Sequence, residues 1–207
     1  MSASESFVVI VPVKPPARGK SRLATLPDDQ RRDLAAAFAL DTVAACLAAR
    51  SVRAVLVPTD DHRFAAELRA AGCEVMPDGA SDDLNAALVQ AAAEVRRRWP
   101  GARPVVVCAD LPCLTPDDLD AVLASVPEGS PAFVPDLGAS GTTLYTAPSG
   151  SFDPSFGFRS AAAHAEAGAL ELQAPVGVRR DVDTEEDLLA ALALGAGRHT
   201  ARVAGAA

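Results

Sequence analysis

The 207-residue chain carries 27 acidic and 19 basic residues, for a formal net charge of -8, and this acidity argues against a general nucleic-acid binder. Aromatic residues make up only 4% of the chain, which excludes an aromatic stacking platform for single-stranded nucleic acid. No apolar run approaches the roughly 20 residues that cross a bilayer, and the polar first residues do not resemble a signal peptide. We therefore expect a cytoplasmic protein that has neither nucleic acid nor a membrane as a partner.

Continuous apolar runs predict strands in the first half of the chain. These runs are Phe7–Val11, Val52–Val57, Cys73–Met76 and Val105–Cys108. Continuous rather than alternating apolarity indicates strands that are covered on both faces, as in a parallel sheet. Helical patterns lie between these strands at Asp28–Ala49, Asp61–Ala71 and Asp82–Trp99, and a further helix begins at Thr115-Pro116.

After Pro127 the pattern changes to two short strands, Pro131–Pro135 and Thr142–Ala147, and a short helix, Ser160–Ala167. A capped helix then begins at Thr184. We predict one α/β domain over residues 1–207, a three-layer αβα sandwich with a mixed, mostly parallel sheet. Residues 7–126 form its nucleotide-binding half and 127–195 its acceptor-binding half, whereas 196–207 form a loose tail.

A basic segment follows the first predicted strand, with Lys14, Arg18, Lys20 and Arg22 in a stretch that has no acidic residue. Gly19-Lys20-Ser21 resembles the end of a P-loop, but Lys14 stands where the first glycine of that motif is required. We predict that Lys14, Lys20 and Arg22 bind nucleotide phosphates and that Lys20 is the catalytic cation at the α-phosphate. The alternative is a solvated basic loop.

Carboxylates follow the apolar segments at two places. Asp110 comes just after a buried strand, where ligands of doubly wound sheets bind, and it is a candidate Mg²⁺ ligand. Asp181 and Asp183 alternate on a segment that we predict to be extended, so they face the same way and one of them completes the metal site. The alternatives are that Asp110 only caps a turn, and that Asp183 or Thr184 only caps the last helix.

Small and hydroxyl residues around Gly141-Thr142-Thr143 and Phe156-Gly157 allow a phosphate or carboxylate to approach the backbone. Ser160 is predicted to begin a helix, whose free N–H groups favour an anion. The guanidinium of Arg159 could bind a carboxylate of the ligand. His164, one turn after Ser160, could reach the same pocket. Asn85 could contact the base or ribose of a nucleotide, or it could simply lie on a helix surface. For the other residues of this group the alternative is an ordinary turn and helix cap.

In their order along the chain, these motifs resemble those of the phospholactate/phosphoenolpyruvate guanylyltransferases of deazaflavin coenzyme biosynthesis, the CofC/FbiD family. The matching segments are Val11–Lys14 with Lys20–Leu23, Leu84–Leu88, Ala109–Pro112, Gly141–Leu144, Phe156-Gly157 with Ser160, and Asp181–Thr184. The resemblance covers nearly the whole chain. It implies a MobA-like nucleotidyltransferase fold of the GT-A, or nucleotide-diphospho-sugar transferase, type.

The resemblance also implies a reaction, namely transfer of GMP from GTP to phosphoenolpyruvate with release of diphosphate. The residues that it implies are Thr142, Gly157 and Ser160 for phosphoenolpyruvate, Lys14, Lys20 and Asn85 for GTP, and Asp110 and Asp183 for Mg²⁺. The alternatives are the same chemistry on 2-phospho-L-lactate, 3-phosphoglycerate, a molybdopterin or a sugar phosphate, or a non-catalytic nucleotide-binding domain. The oligomeric state is open, with a homodimer as one option.

Overall fold

The computed structural model describes residues 6–13, 26–79 and 83–205. The strands are β1 Phe7–Ile10, β2 Val52–Pro58, β3 Glu74–Met76, β4 Arg103–Val107, β5 Ala132–Pro135, β6 Thr142–Thr146 and β7 Leu170–Glu171. The helices are α1 Asp28–Ala48, α2 His62–Ala71, α3 Leu84–Arg98, α4 Pro116–Ala124, α5 Ser160–Glu166, α6 Val176–Arg179, α7 Glu185–Leu194 and α8 Arg198–Val203. None of the helices in the described ranges is both long and apolar enough to span a bilayer.

The strands form a 7-stranded sheet in the order β3-β2-β1-β4-β6-β5-β7. Strand β1 pairs in parallel with β2 and β4, and β2 pairs in parallel with β3. Strand β6 runs antiparallel to both of its neighbours, β4 and β5, while β5 and β7 are parallel. The predicted mixed, mostly parallel sheet is therefore confirmed.

Both faces of this sheet are covered by helices. Consecutive residues of β1 point to opposite faces, so Val9 packs in one apolar cluster and Val8 in another. The cluster around Val9 contains residues of α1, α2 and α4, whereas the cluster around Val8 contains residues of α3 and α5. This arrangement confirms the predicted three-layer sandwich and explains why the strands are apolar on both sides.

Local signals at the helix ends agree with the structure. Thr115 caps α4 by accepting a hydrogen bond from the backbone N–H of Asp118, at 3.1 Å. Thr184 caps α7 in a capping box with Asp187. Gly72 ends α2 with a φ of +104°, a left-handed conformation that glycine adopts without strain. These ends were predictable because a cap depends on residues close in sequence.

The residues after Gly195 differ from the loose tail that we expected. Helix α8 packs along α1, and its first amides are held by the buried carboxylate of Asp41, which accepts from His199 N at 3.0 Å and Thr200 N at 2.8 Å. A Cβ on Gly197 would lie 2.5 Å from Asp41 Oδ1, so the close approach requires glycine. The expectation was wrong because the stabilising partner lies on α1, far away in sequence.

A buried histidine lies in the core between the sheet and α5. His164 has no exposed surface, and its ring stacks on Tyr145 of β6 with ring centroids 4.5 Å apart. Phe156 contacts the ring edge-on at 5.3 Å and Phe133 of β5 lies at 5.7 Å. Burial disfavours the charged imidazolium and lowers the pKa of His164 from 6.5 to about 4, against the opposing effect of a hydrogen bond to the Ser160 backbone.

This lowered pKa predicts a pH dependence of stability. Between pH 6.5 and about 4 the unfolded chain binds a proton at His164 and the folded chain does not, so acidification through this window favours unfolding. We expect wild type to lose on the order of 2 kcal/mol of unfolding free energy relative to His164→Gln between pH 7.5 and 4.5. Urea denaturation of both proteins at each pH measures the difference. An unchanged difference would show that His164 titrates alike in both states.

Candidate functional site

The end of β4 and the start of β6 lie at the same edge of the sheet, because the two strands are antiparallel neighbours. The pairing continues past Val107, since the Cys108 N–H donates to the Thr143 carbonyl at 2.9 Å. The Cys108 thiol donates to the Thr142 carbonyl at 3.3 Å. Asp110, a candidate metal ligand, and Thr142, to which the family resemblance gives an acceptor contact, therefore belong to one edge.

The segment that carries Asp181 and Asp183 is joined to this edge by a backbone hydrogen bond. The Val182 N–H donates to the Asp110 carbonyl at 3.1 Å, and the Val182 side chain is fully buried. Carboxylate oxygens of Asp110, Asp181 and Asp183 consequently lie within 4.8 Å of one another. We call these three half-buried residues the carboxylate cluster.

Negative charge accumulates at the carboxylate cluster. The pKa of Asp181 is raised from 3.8 to about 7, first by burial and then by the charges of Asp110, Asp183 and Asp136. Burial and like charges both favour the neutral carboxyl group, so an ionised cluster costs free energy. A divalent cation would relieve this cost, and oxygen ligands of this kind suit Mg²⁺.

Helix capping accounts for a neighbour of the cluster. Thr184, not Asp183, caps α7, and the Asp187 carboxylate accepts from the backbone N–H groups of Asp183 and Thr184 at 3.2 and 2.9 Å. The alternative in which Asp183 serves as the cap of α7 is thus not what the structure contains. The backbone of Asp183 is fixed by Asp187, while the carboxylate of Asp183 belongs to the carboxylate cluster.

Thr42, which the sequence analysis missed, holds the backbone on the other side of Asp110. This residue is buried on α1, and its hydroxyl accepts from the Leu111 N–H at 3.2 Å. The same hydroxyl oxygen lies 2.9 Å from the Phe38 carbonyl and 3.4 Å from the Ala109 carbonyl. In the sequence, Thr42 is recognisable only as a hydroxyl residue among the apolar positions of a helix. That pattern is too common to identify Thr42 as part of a site.

The loop before β6 is held by Asp136 and Arg179, which were also missed. The Asp136 carboxylate accepts from Ser140 N at 3.0 Å and from Gly141 N at 2.8 Å. A Cβ on Gly141 would lie 2.5 Å from Asp136 Oδ2, so glycine is required for this close approach. Arg179 donates to the carbonyls of Pro135 and Asp136 at 3.2 and 2.9 Å. The backbone leading to Thr142 is thereby fixed on both sides.

The structure brings Ser160 and Gly157 to the same loop. Helix α5 begins at Ser160, as predicted, and the Ser160 N–H donates to the Gly157 carbonyl at 3.2 Å. The next amide, that of Ala161, donates to the Ser140 carbonyl at 3.2 Å. The prediction that these first N–H groups are free for an anion was therefore wrong for Ser160 and Ala161, because both amides find carbonyl partners in the folded chain. Gly157 has a φ of +138°, and a Cβ at this position would meet no atom within 4 Å, so its conformation rather than lack of space requires glycine.

Asn85 lies in the first turn of α3 and makes a paired contact with the same loop. Its amide nitrogen donates to the Phe156 carbonyl at 2.9 Å, and its amide oxygen accepts from the Phe156 N–H at 2.8 Å. The side chain thus anchors the backbone next to Gly157. Its contact with nucleotide stays a prediction.

Two exposed residues separate Gly157 from α5. Phe158 is 95% exposed, and Arg159 precedes the helix with a φ of 55°, a left-handed conformation that is uncommon outside glycine. Arg159 is itself exposed, and its contact with a carboxylate stays a prediction.

The basic residues Lys14, Arg18, Lys20 and Arg22 lie outside the described residues. The backbone just before them is described: the N–H groups of Val11 and Val13 donate to the carbonyls of Leu56 and Pro58 at 3.0 and 3.2 Å. Since β1 and β4 are parallel neighbours, the chain enters the basic segment from the sheet edge that carries Asp110.

Comparison with known proteins gives a family match and close relatives. Residues 7–203 match the family described as guanylyl transferase CofC like. The phosphoenolpyruvate guanylyltransferase of Streptomyces coelicolor is 48% identical over 202 residues, which cover 96% of this chain and 95% of the relative. The protein of the same name from Thermomonospora curvata is 45% identical, with 98% of this chain and 90% of the relative covered.

Solved structures support the fold. A nucleotidyl transferase from Methanothermobacter superposes with a TM-score of 0.64 at 15% identity, covering 91% of this chain and 96% of that one. A CMP:2-keto-3-deoxy-manno-octonic acid synthetase complexed with CTP gives a TM-score of 0.55 at 15% identity, covering 92% and 98%. Both confirm the expected nucleotidyltransferase fold, and the near-complete family match shows that the chain belongs to the CofC-like guanylyl transferases.

Proposed function

We propose that this chain transfers GMP from GTP to the phosphate of phosphoenolpyruvate, giving enolpyruvyl-diphospho-guanosine and diphosphate. The observation that carries the proposal is the meeting of the carboxylate cluster and the Gly141-Thr142 loop at one sheet edge. Relatives named phosphoenolpyruvate guanylyltransferase, up to 48% identical, support the choice of acceptor. The family resemblance further supports a place in the biosynthesis of the deazaflavin coenzyme F-420.

Asp110 and Asp183 are the proposed ligands of Mg²⁺, with Asp181 beside them. The fit rests on an all-oxygen donor set within 4.8 Å, which suits a hard cation. The raised pKa of Asp181 supports it, because burial and the neighbouring carboxylates disfavour a charge that a cation would offset. When bound, Mg²⁺ supplies positive charge that offsets the repulsion between the two anionic substrates.

In the proposed reaction the residues of this chain position two anions. Thr142, Gly157 and Ser160 bind phosphoenolpyruvate, while Lys14, Lys20, Arg22 and Asn85 bind GTP. An oxygen of the acceptor phosphate attacks the α-phosphorus of GTP and forms the new P–O bond. The bond from the α-phosphorus to the bridging oxygen of the β-phosphate breaks, and diphosphate leaves with that electron pair.

No strong general base is needed for this step. A phosphate monoester has its second pKa near 6, so its oxygens are already mostly ionised at neutral pH. The catalytic requirement is alignment of the reacting atoms and stabilisation of charge at the α-phosphate, which we assign to Lys20.

Product analysis tests the acceptor directly. The purified protein is incubated with Mg²⁺, each nucleoside triphosphate and each of phosphoenolpyruvate, 2-phospho-L-lactate and 3-phosphoglycerate, and products are identified by mass spectrometry. We expect a GMP adduct of phosphoenolpyruvate with one diphosphate released per adduct. A preferred adduct of another phospho-acid would replace phosphoenolpyruvate as the acceptor. Nucleotide binding without diphosphate release in any combination would identify a non-catalytic domain.

Substitutions test the assigned charges. Asp110→Asn and Lys20→Ala each remove a charge contact of about 4 kcal/mol at an effective dielectric constant near 20, so we expect a rate loss on the order of 10³-fold. Diphosphate release measures the rate, and circular dichroism verifies folding. Asp117→Asn and Arg97→Ala are the matched controls, because their side chains are 92% and 70% exposed in surface ion pairs. Near-normal turnover of folded Asp110→Asn or Lys20→Ala contradicts the assignment.

Binding of the metal is tested without turnover. A cation that binds only the folded chain raises its stability, so saturating Mg²⁺ should raise the Tm of the wild type by about 5 °C. The shift should be strongly reduced in Asp110→Asn and Asp183→Asn and retained in Asp117→Asn. Equal shifts in all four proteins would place the ion elsewhere.

A further inference from the structure

The ring nitrogen Nε2 of His164 accepts a hydrogen bond in the structure. The backbone N–H of Ser155 donates to it at 2.9 Å. A peptide N–H can only donate, so Nε2 carries a lone pair and no proton. The lowered pKa of the buried ring keeps it neutral at neutral pH. A neutral imidazole has one N–H group, and here that group is at Nδ1.

The Nδ1–H group faces the hydroxyl of Thr142, with Nδ1 and Oγ1 2.9 Å apart. The ring also interacts with the Ser160 backbone, while the Thr142 hydroxyl oxygen lies at hydrogen-bond distance from Nδ1 and accepts from it. Since Nδ1 carries the proton, the hydroxyl cannot donate to this nitrogen, and the Thr142 O–H must point to a different partner. Within the described ranges, His164 is the one residue that hydrogen-bonds to this hydroxyl. The histidine therefore leaves the Thr142 proton available for an acceptor outside these contacts.

An anionic oxygen would be the strongest acceptor for such a proton. Thr142 begins β6, directly after the Gly141 amide that Asp136 fixes, and His164 lies on α5 one turn from Ser160. The ring cannot turn away, because it is stacked on Tyr145 at 4.5 Å and held at Nε2 by Ser155. The orientation of the hydroxyl is thus set by a rigid donor before any ligand arrives.

We propose that His164 is a positioning residue for the acceptor: it donates from Nδ1 to Thr142 Oγ1 and so directs the Thr142 O–H to the phospho-acid. The inference rests on the proposed function, which makes Thr142 part of the phosphoenolpyruvate site. It adds that affinity for the phospho-acid depends on the tautomer of a histidine that does not touch the substrate.

Two amide substitutions distinguish the hydrogen bond at Nδ1 from the one at Nε2. In His164→Asn the amide NH₂ reaches the place of Nδ1 and can still donate to Thr142. In His164→Gln the longer amide reaches the place of Nε2 and can accept from Ser155, but no donor faces Thr142. We expect His164→Gln to raise the KM for the phospho-acid about tenfold, as for a lost hydrogen bond to a charged ligand, and His164→Asn to stay within about threefold of wild type. The kcat and the KM for GTP should change by less than about twofold in both.

A double-substitution cycle with Thr142 identifies the route of the effect. Thr142→Val removes the hydroxyl at nearly constant shape and should raise the same KM about tenfold, whereas Thr142→Ser should retain affinity. Adding His164→Gln to Thr142→Val should cause no further loss. The proposal would be overturned, in favour of a purely structural role, if the two substitutions multiplied their effects on the KM for the phospho-acid. Equal increases of this KM in His164→Asn and His164→Gln would overturn it as well.

A spectroscopic readout is independent of turnover. Long-range ¹H–¹⁵N correlation spectra of the ¹⁵N-labelled protein distinguish protonated from unprotonated ring nitrogens, and the His164→Asn spectrum assigns the signals. We expect a protonated Nδ1 and an unprotonated Nε2 at neutral pH. A protonated Nε2 refutes the role of His164 while leaving the proposed function standing. Failure of the wild type to form any GMP adduct refutes the proposed function, whatever the tautomer.

Discussion

A hydrogen bond from the Val182 amide to the Asp110 carbonyl joins the two chain segments on which the site depends. It holds together carboxylates that would otherwise separate, because three acidic groups within 4.8 Å repel one another. The buried Val182 side chain anchors one segment, and Thr42 fixes the backbone of the other at Leu111. The free energy of packing thus offsets the electrostatic cost of bringing three carboxylates together.

The loops before β6 and before Gly157 are held differently, by polar side chains bonded to backbone. Asp136 and Arg179 hold the loop before β6, and Asn85 holds the loop before Gly157. These partners come from different elements, so the two loops are held only when sheet and helices are assembled. Such preorganisation suits the proposed transfer between two anions, for which alignment and charge are required and a covalent intermediate is not.

The agreement between sequence and structure is greatest where the determinants are local. The strands were predictable from continuous apolar runs, and α4 and α7 from the caps Thr115 and Thr184. The tail was mispredicted because α8 has 6 residues, too few for a stable isolated helix, and depends on Asp41 of α1. Asn85 was recognisable as a polar residue at a helix start, but its bonds to Phe156 were not, because they join distant parts of the chain.

The fold class, the starts of α4 and α7 and the residue types available for chemistry follow from the amino-acid sequence, since apolar periodicity and capping act over a few residues. Tertiary contacts were needed to show that Asp181 lies within the cluster of Asp110 and Asp183, and that His164 faces Thr142. The reason lies in the order of the sheet. Strand β6 inserts antiparallel between β4 and β5 and brings Thr142 to the edge where β4 ends, a pairing between distant segments that no local pattern encodes.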